Sequence, residues 1–380
     1  MTAAAAVLFL LSVALAGWSY LVYPPLLQRL AARASGLPAR PATSAPPSVD
    51  VLVSAADEEA VIAARVRDLL EQEAPGIYRI VVGCDGSADR TAQRAREAAD
   101  SRVAVREFPS RRGKASVLND LAAESRADVL VFTDANTRFE PGAVRELCDA
   151  LERTGAGAAC GRLALDPPGS GAGTPESAFW DRETALKEAE GRLGVCLGAN
   201  GAIYAARRED VAPLPPDTTS MDDFLIPLDI ARRGHAVVFA PLAVAREASA
   251  RDAGAEAARR FRIGIGAGQV LRRDRWLWNA RRHPRLAFVF FSRKAARWLA
   301  PGAFLLSAAL ALGSPALWPA GAAALLAAVL VAGSARLGWA ARGALGRLYY
   351  FAVINLWLTA GVAAGLLGYS RPVWKPVARS

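Results

Sequence analysis

Residues 128–136 read DVLVFTDAN, and this stretch decides the fold. Five apolar or β-branched residues in a row form a short run suited to a strand buried on both faces, and the run stops at Asp134. The same grammar recurs on either side of it. Residues 49–55 (VDVLVSA), 78–85 (YRIVVGCD), 103–108 (VAVREF) and 156–165 (AGAACGRLAL) read as strands. Between them, 57–73, 89–100, 114–125 and 141–153 carry helical spacing, and Pro141 marks a helix start. Alternation of this kind predicts an α/β domain with a mostly parallel sheet and helices on both faces. It also places Asp57-Glu58, Asp85 and Asp134 at or just past strand ends, along the sheet edge where such folds bind ligands.

The chain has 380 residues, 53% of them hydrophobic, enough for one full domain plus membrane segments. Its mean hydropathy is +0.19, high for a soluble enzyme and low for a transporter. A formal net charge of +10, mostly arginine, suits positive loops beside a membrane. No nucleic-acid signature accompanies it, so no nucleic-acid partner is expected. Cys84, Cys148, Cys160 and Cys196 form no close pair, which argues against zinc or a disulfide framework and for reduced thiols. His235 and His283 are too few and too separated for a histidine metal site.

Residues 3–23 are uncharged and long enough to span a bilayer, and they lack the basic n-region of a signal peptide. Arg29, Arg33 and Arg40 follow, which places the next domain in the cytoplasm. The expected organisation is an anchor over 1–28, a Pro- and Ser-rich linker over 29–48 and the α/β domain over 49–250. Amphipathic interfacial helices over 251–297, membrane helices over 298–370 and a tail over 371–380 complete it. Apolar runs near 298–312, 316–334 and 348–368 leave the choice between two and three C-terminal spans open, and with it the side of the tail.

Each polar signpost has a bland and a chemical reading. Asp134-Ala135-Asn136 is a turn or a ligand pair for Mg²⁺ or Mn²⁺. Asp85-Gly86-Ser87 is a turn or a grip on a base or ribose. Lys114, at a helix start, favours an anion, but the spacing of a P-loop is missing. Asp222-Asp223 caps a helix or supplies a general base. Arg259, Arg260 and Arg262 lie on a basic membrane-surface helix or clamp a diphosphate.

Taken in order, these segments resemble the membrane-bound family 2 glycosyltransferases of GT-A fold, over about residues 49–300. SAADEE stands where that family has a PAYNEE-like strand end, with Ser54 and Ala56 departing from it. CDGSADRT matches DGSxDxT, RRGKASVLN matches RxGKxxALN, and TDAN occupies the D-x-D position. WDRETALKEAEGRLG with GANGAIYAARRE resembles the acceptor-side segment. MDDF takes the place of the ED pair, and RRFRI that of Q-x-x-R-W.

The resemblance implies a Rossmann-like GT-A sheet with flanking helices, plus N- and C-terminal transmembrane helices. It implies that Asp57, Glu58 and Asp85 hold base and ribose, with Lys114 near the nucleotide. Asp134 and Asn136 would hold the metal and diphosphate, and Asp223, beside Asp222, would be the base of an inverting transfer. Arg262, joined by Arg259, would stabilise the leaving diphosphate, and Gly198 and Gly201 would let backbone approach the acceptor. The expected donor is a nucleotide-diphosphate sugar, UDP-linked by preference, and the acceptor a membrane lipid or glycan. The expected location is the bacterial inner (plasma) membrane, multi-pass, with the catalytic domain cytoplasmic. Asn136 replaces the second acid of D-x-D, and Arg259 and Ile263 replace the Gln and Trp of the last motif. Loss of that Trp favours transfer of one or a few sugars over a processive exopolysaccharide synthase. A non-catalytic nucleotide-sugar-binding scaffold is the rival outside enzymes.

Overall fold

Strand pairing follows the apolar runs. The computed structural model describes residues 2–37, 46–166, 175–248, 253–336 and 343–373. In it β1 (Val49–Ala55), β2 (Tyr78–Asp85), β3 (Val103–Phe108) and β4 (Val129–Asp134) pair in parallel, in the order β3-β2-β1-β4. Successive side chains of a strand face opposite sides. Val51 and Val53 of β1 therefore pack with Ile62, Val66 and Leu69, while Leu52 packs with Leu118, Leu121 and Leu130 on the other face. Both faces are covered, which is why these strands are apolar throughout rather than alternating.

Beyond β4 the sheet departs from the expected parallel run. It adds β5 (Arg138–Phe139), β6 (Ala158–Asp166), β7 (Tyr204–Arg207) and β8 (Val237–Ala248), for a full order of β3-β2-β1-β4-β7-β6-β8-β5. Strand β7 lies antiparallel to both β4 and β6, and β6 is parallel to β8. β7 is the four-residue stretch YAAR, too short to show a period, so its insertion left no mark in the sequence.

The helices sit close to their expected places, with one correction. The helix expected over 57–73 spans Ile62–Leu70. Asp57 has a positive φ of 54°, which no helix accommodates, and residues 57–61 form a loop instead. The other helices of this region are Thr91–Glu97, Lys114–Glu124, Ala143–Thr154, Pro175–Arg192 and Asp222–Arg232. All four cysteines are buried free thiols.

The chain divides into two compact units, residues 30–249 with 372–380, and residues 1–29 with 250–371. The first holds the sheet. In the second, the N-terminal helix runs through a π-turn at Trp18–Val22, and the chain stays helical to Arg33, past the expected start of the linker. Residues 38–45 of that linker lie outside the described residues. Among the described residues two helices, Thr2–Arg33 and Tyr349–Leu366, are long and apolar enough to cross a membrane, and Trp318–Ser334 is apolar but shorter.

Within that second unit the basic helix Ala253–Arg273 packs against Gly343–Leu366 at unusually short range. Gly264 and Gly268 on one helix face Gly361 and Gly365 on the other, each pair four residues apart. A Cβ added at Gly361 would lie 2.8 Å from Cα of Gly264. Small residues at this spacing let two backbones touch, which is how helices associate where water supplies no driving force. Gly361→Leu is expected to push the pair apart and destabilise the unit by about 1–3 kcal/mol, read as a lowered unfolding midpoint of the detergent-solubilised protein.

Candidate active site

Two loops clasp each other at the C-terminal ends of β1 and β2. The Asp57 carboxylate accepts the Ala88 N–H at 2.9 Å and pairs with Arg111, while Ser87 Oγ accepts the Asp57 N–H at 3.2 Å. The Glu58 N–H donates to Thr91 Oγ1 at 2.8 Å, and the Glu59 N–H to Asp89 Oδ2 at 3.1 Å. Ser87, Asp89 and Thr91 of the DGSADRT segment thus have partners across the clasp. Asp85, buried, accepts the N–H groups of Arg112 at 2.8 Å and Gly113 at 2.9 Å. Those two bonds fix the turn from which the helix Lys114–Glu124 starts, and so they aim Lys114.

Lys114 reaches across the sheet edge. Its Nζ lies 2.8 Å from Asp134 Oδ1 at the end of β4 and 3.1 Å from Asp222 Oδ2 at the start of the helix Asp222–Arg232. Burial alone would depress this ammonium, but the charges of Asp134, Asp222 and Asp223 hold its pKa above the ordinary lysine range. Asp222 is buried and also accepts the Tyr204 hydroxyl at 3.3 Å. Burial first, then the carboxylates of Asp222 and Asp223, keep that phenol protonated. The Tyr204 ring stacks on Phe132 at 4.7 Å, which ties the antiparallel strand to β4 through the side chains as well as the backbone.

Asp223 stands apart from the ion pair. Its Oδ2 accepts the Gly201 N–H at 3.1 Å, and its main-chain oxygen accepts the Ala199 N–H at 2.7 Å. Burial, and then the neighbouring Asp222 charge, push its pKa up from the ordinary 3.8 to about 6. A carboxylate with that pKa takes up a proton readily near neutral pH, the property of a general base. Just before this pair, Ser220 and Met221 both have positive φ, 58° and 74°. Two consecutive non-glycine residues in that region store backbone strain, a feature concentrated at functional sites.

Gly201 closes the group. A Cβ built there would lie 3.3 Å from Asp134 Oδ2 and 3.8 Å from both Asp223 Oδ2 and Lys114 Nζ. The glycine leaves open a space that three charged groups face. Gly198, expected to serve the same purpose, has φ +80° and a Cβ there would press on the Phe224 ring at 2.9 Å. Its need is conformational and steric.

The structure therefore brings Lys114, Asp134, Asp222 and Asp223 together, and places Asp57, Glu58 and Asp85 at the neighbouring strand ends. Asn136 donates through Nδ2 to Glu247 Oε1 on β8 at 3.1 Å. Arg259 and Arg262 belong to the other unit, on the helix Ala253–Arg273, where Arg259 lies 3.5 Å from Glu256. Sequence reasoning gave no role to Tyr204 and Lys187, although both lie in the quoted acceptor-side segments, and missed Glu247 altogether.

Residues 50–208 match the family described as glycosyl transferase family 2. The chain carries a family 2 glycosyltransferase domain. The chain is 32% identical over 125 residues to an N-acetylglucosaminyltransferase of Rhizobium leguminosarum bv. viciae, a match covering 32% of the chain and 29% of that relative. It is 30% identical over 124 residues to a beta-monoglucosyldiacylglycerol synthase of Trichormus variabilis, 31% of the chain and 26% of that relative. The aligned part spans under a third of either relative. A solved structure of a mannosyltransferase from Pyrobaculum calidifontis, in complex with GDP-Man and Mn²⁺, superimposes with a TM-score of 0.65. That likeness covers 94% of this chain and 99% of the other at 22% identity, and it shows the GT-A fold.

The donor set of this site fits a divalent cation only where a nucleotide brings further oxygen ligands. Among the described residues no group of three or more His, Cys, Asp or Glu could hold a metal alone. Mg²⁺ and Mn²⁺ bound with a nucleotide take one or two protein carboxylates and complete their shell with phosphate and water oxygens. Asp134 beside the open space over Gly201 meets that requirement, and the Asn136 hydrogen bond uses the amide nitrogen, not the oxygen a cation takes. Gly201→Ala fills the space between the charged groups. We expect turnover to fall by up to about a hundredfold, measured as nucleoside diphosphate release, with little change in unfolding midpoint.

Proposed function

We propose that this protein is a membrane-anchored inverting glycosyltransferase that moves a sugar from a nucleotide-diphosphate sugar to a membrane-associated lipid or glycan acceptor. The observation that carries the reading is Asp223. Its carboxylate has a pKa of about 6, is held by the Gly201 N–H, and lies one residue from the Lys114–Asp222 pair that also engages Asp134. The two long apolar helices support a membrane setting, and the lipid-modifying relative supports an acceptor of that class.

In this mechanism Asp57, Glu58 and Asp85 bind the nucleoside end of the donor, UDP by preference. Asp134 and Asn136 would hold Mg²⁺ or Mn²⁺, which when bound neutralises diphosphate charge. Lys114 supplies a fixed cation at the same edge, and charge aimed where a diphosphate leaves lowers the barrier. Asp223 takes the proton from an acceptor hydroxyl. That oxygen forms a bond to the anomeric carbon as the bond to the diphosphate oxygen breaks, and the nucleoside diphosphate departs. Attack from the face opposite the leaving group inverts the anomeric centre. The active site faces the cytoplasm in this reading, within a multi-pass inner-membrane protein.

Asp223→Asn should lower turnover by about 10²–10⁴-fold, the usual worth of a general base, while calorimetric donor affinity stays unchanged. Wild-type turnover in that variant sinks the assignment. The base must be ionised, so activity should fall as pH drops through about 6. Stability has the opposite sign at this group. Between 3.8 and about 6 the native state binds more protons than the unfolded chain, so acid favours folding there while it silences the base. Chelation with EDTA should stop transfer and added Mg²⁺ or Mn²⁺ should restore it; full activity in metal-free buffer refutes the metal role.

A further inference from the structure

A lysine buried in the domain interior lies in the segment WDRETALKEAEGRLG, where no residue has yet been given a role. Lys187 sits on the helix Pro175–Arg192 with 4% of its surface exposed. Lysine is among the residues least often buried, and an ammonium is retained in a protein interior only when its hydrogen bonds are met. Its Nζ donates to the Ala199 carbonyl at 2.9 Å and to Asn200 Oδ1. Asn200 in turn donates through Nδ2 to the Gly161 carbonyl at 2.7 Å, on β6. One turn further along the same helix, buried Glu190 accepts the Leu197 N–H at 3.1 Å. The helix therefore grips residues 197–200 at both ends.

The loop so gripped is the one that holds Asp223. The same Ala199 whose carbonyl receives Lys187 gives its N–H to the Asp223 main-chain oxygen at 2.7 Å. Gly201, next to Asn200, gives its N–H to Asp223 Oδ2 at 3.1 Å. Two chains of hydrogen bonds thus run from one ammonium to Asp223, one through Ala199 to its main-chain oxygen and one through Asn200 and Gly201 to its carboxylate. Bonds in series polarise and orient one another, so the first donor bears on the geometry of the last.

From this juxtaposition we propose that Lys187 is a positioning residue for catalysis, fixing the 198–201 turn so that Gly201 orients the Asp223 carboxylate toward the acceptor. It does not touch substrate. The inference rests on the role of Asp223 given above. Asp57, Glu58 and Asp85, which take the nucleoside end in this reading, lie at the neighbouring strand ends, so a defect at Lys187 falls on turnover and spares that grip on the donor.

The test is steady-state kinetics of Lys187→Met and Lys187→Arg beside Asp223→Asn in the full-length, detergent-solubilised protein. Lys187→Met is expected to lose about tenfold or more in kcat with donor KM within twofold, the pattern of a lost transition-state interaction. Lys187→Arg, which keeps charge and donors, should retain more of kcat than the Met variant. Wild-type kcat in Lys187→Met overturns the proposal, as does a raised donor KM at constant kcat. An equal kcat loss in both variants, matched by an equal fall in unfolding midpoint, reduces Lys187 to a structural prop and also overturns it. If Lys187→Met does not fold, Asn200→Ser decides: it removes one acceptor of the ammonium, and a lowered kcat at unchanged KM supports the proposal while wild-type kcat ends it. Should Asp223→Asn be fully active in the same assay, the base assignment fails. If Asp223→Asn is inactive and Lys187→Met unaffected, only the present inference fails.

Discussion

One ammonium between two carboxylates organises this domain. Lys114 meets Asp134, at the end of β4, and Asp222, at the start of a helix nearly ninety positions later in the chain. Without the lysine, Asp134, Asp222 and Asp223 would set three like charges around one small space, a costly arrangement at the reduced dielectric of a partly buried site. With it, one positive charge lies between Asp134 and Asp222, and Asp223 stands beside them, its pKa raised by burial and by Asp222 but restrained by the lysine. The division of labour between two adjacent aspartates follows from environment alone. Asp222 is buried in an ion pair and a tyrosine hydrogen bond, whereas Asp223 meets a backbone N–H beside open space.

The rest of the fold can be understood as what holds that ammonium in place. Asp85 takes the two N–H groups that set the direction of the lysine-bearing helix. Buried Arg65 donates to Thr133 Oγ1 at 2.6 Å, and that hydroxyl donates to the Ala202 carbonyl at 2.6 Å. The residue before Asp134 is thereby tied to the residue after Gly201. The antiparallel β7 brings the 198–201 turn back to β4, and the stacked Phe132–Tyr204 pair locks the two strands. An oxygen-rich site with charges this close needs such supports, since a displacement of an ångström costs heavily in orientation.

Much of this was legible from residue order. Asp57, Asp85 and Asp134 could be placed at one sheet edge because parallel strands all end on the same side, so an acid that closes an apolar run has only one place to go. The helix beginning at Asp222 was legible from the apolar spacing after it. The loop at 57–61 was not, because an acidic first turn is what a real helix start also shows, and only the clasp with Ser87, Ala88 and Thr91 draws Asp57 into its left-handed conformation. Asn136 read as a ligand by position, yet its hydrogen bond to Glu247 joins residues more than a hundred apart, and no local pattern encodes such a pairing.

The sequence by itself determined the α/β class, the strand-end acids, the apolar segments at both ends and the kinship with family 2 glycosyltransferases. These depend on local periodicity and on motif spacing, which the chain carries wherever it folds. Only the tertiary structure decided the direction of β7, the pairing of Lys114 with both Asp134 and Asp222, the difference between Asp222 and Asp223, and the buried reach of Lys187 to the 199–200 peptide. Each of these is a contact between segments far apart in the chain. Its energy depends on distance and burial, and neither quantity exists until the sheet has closed around it.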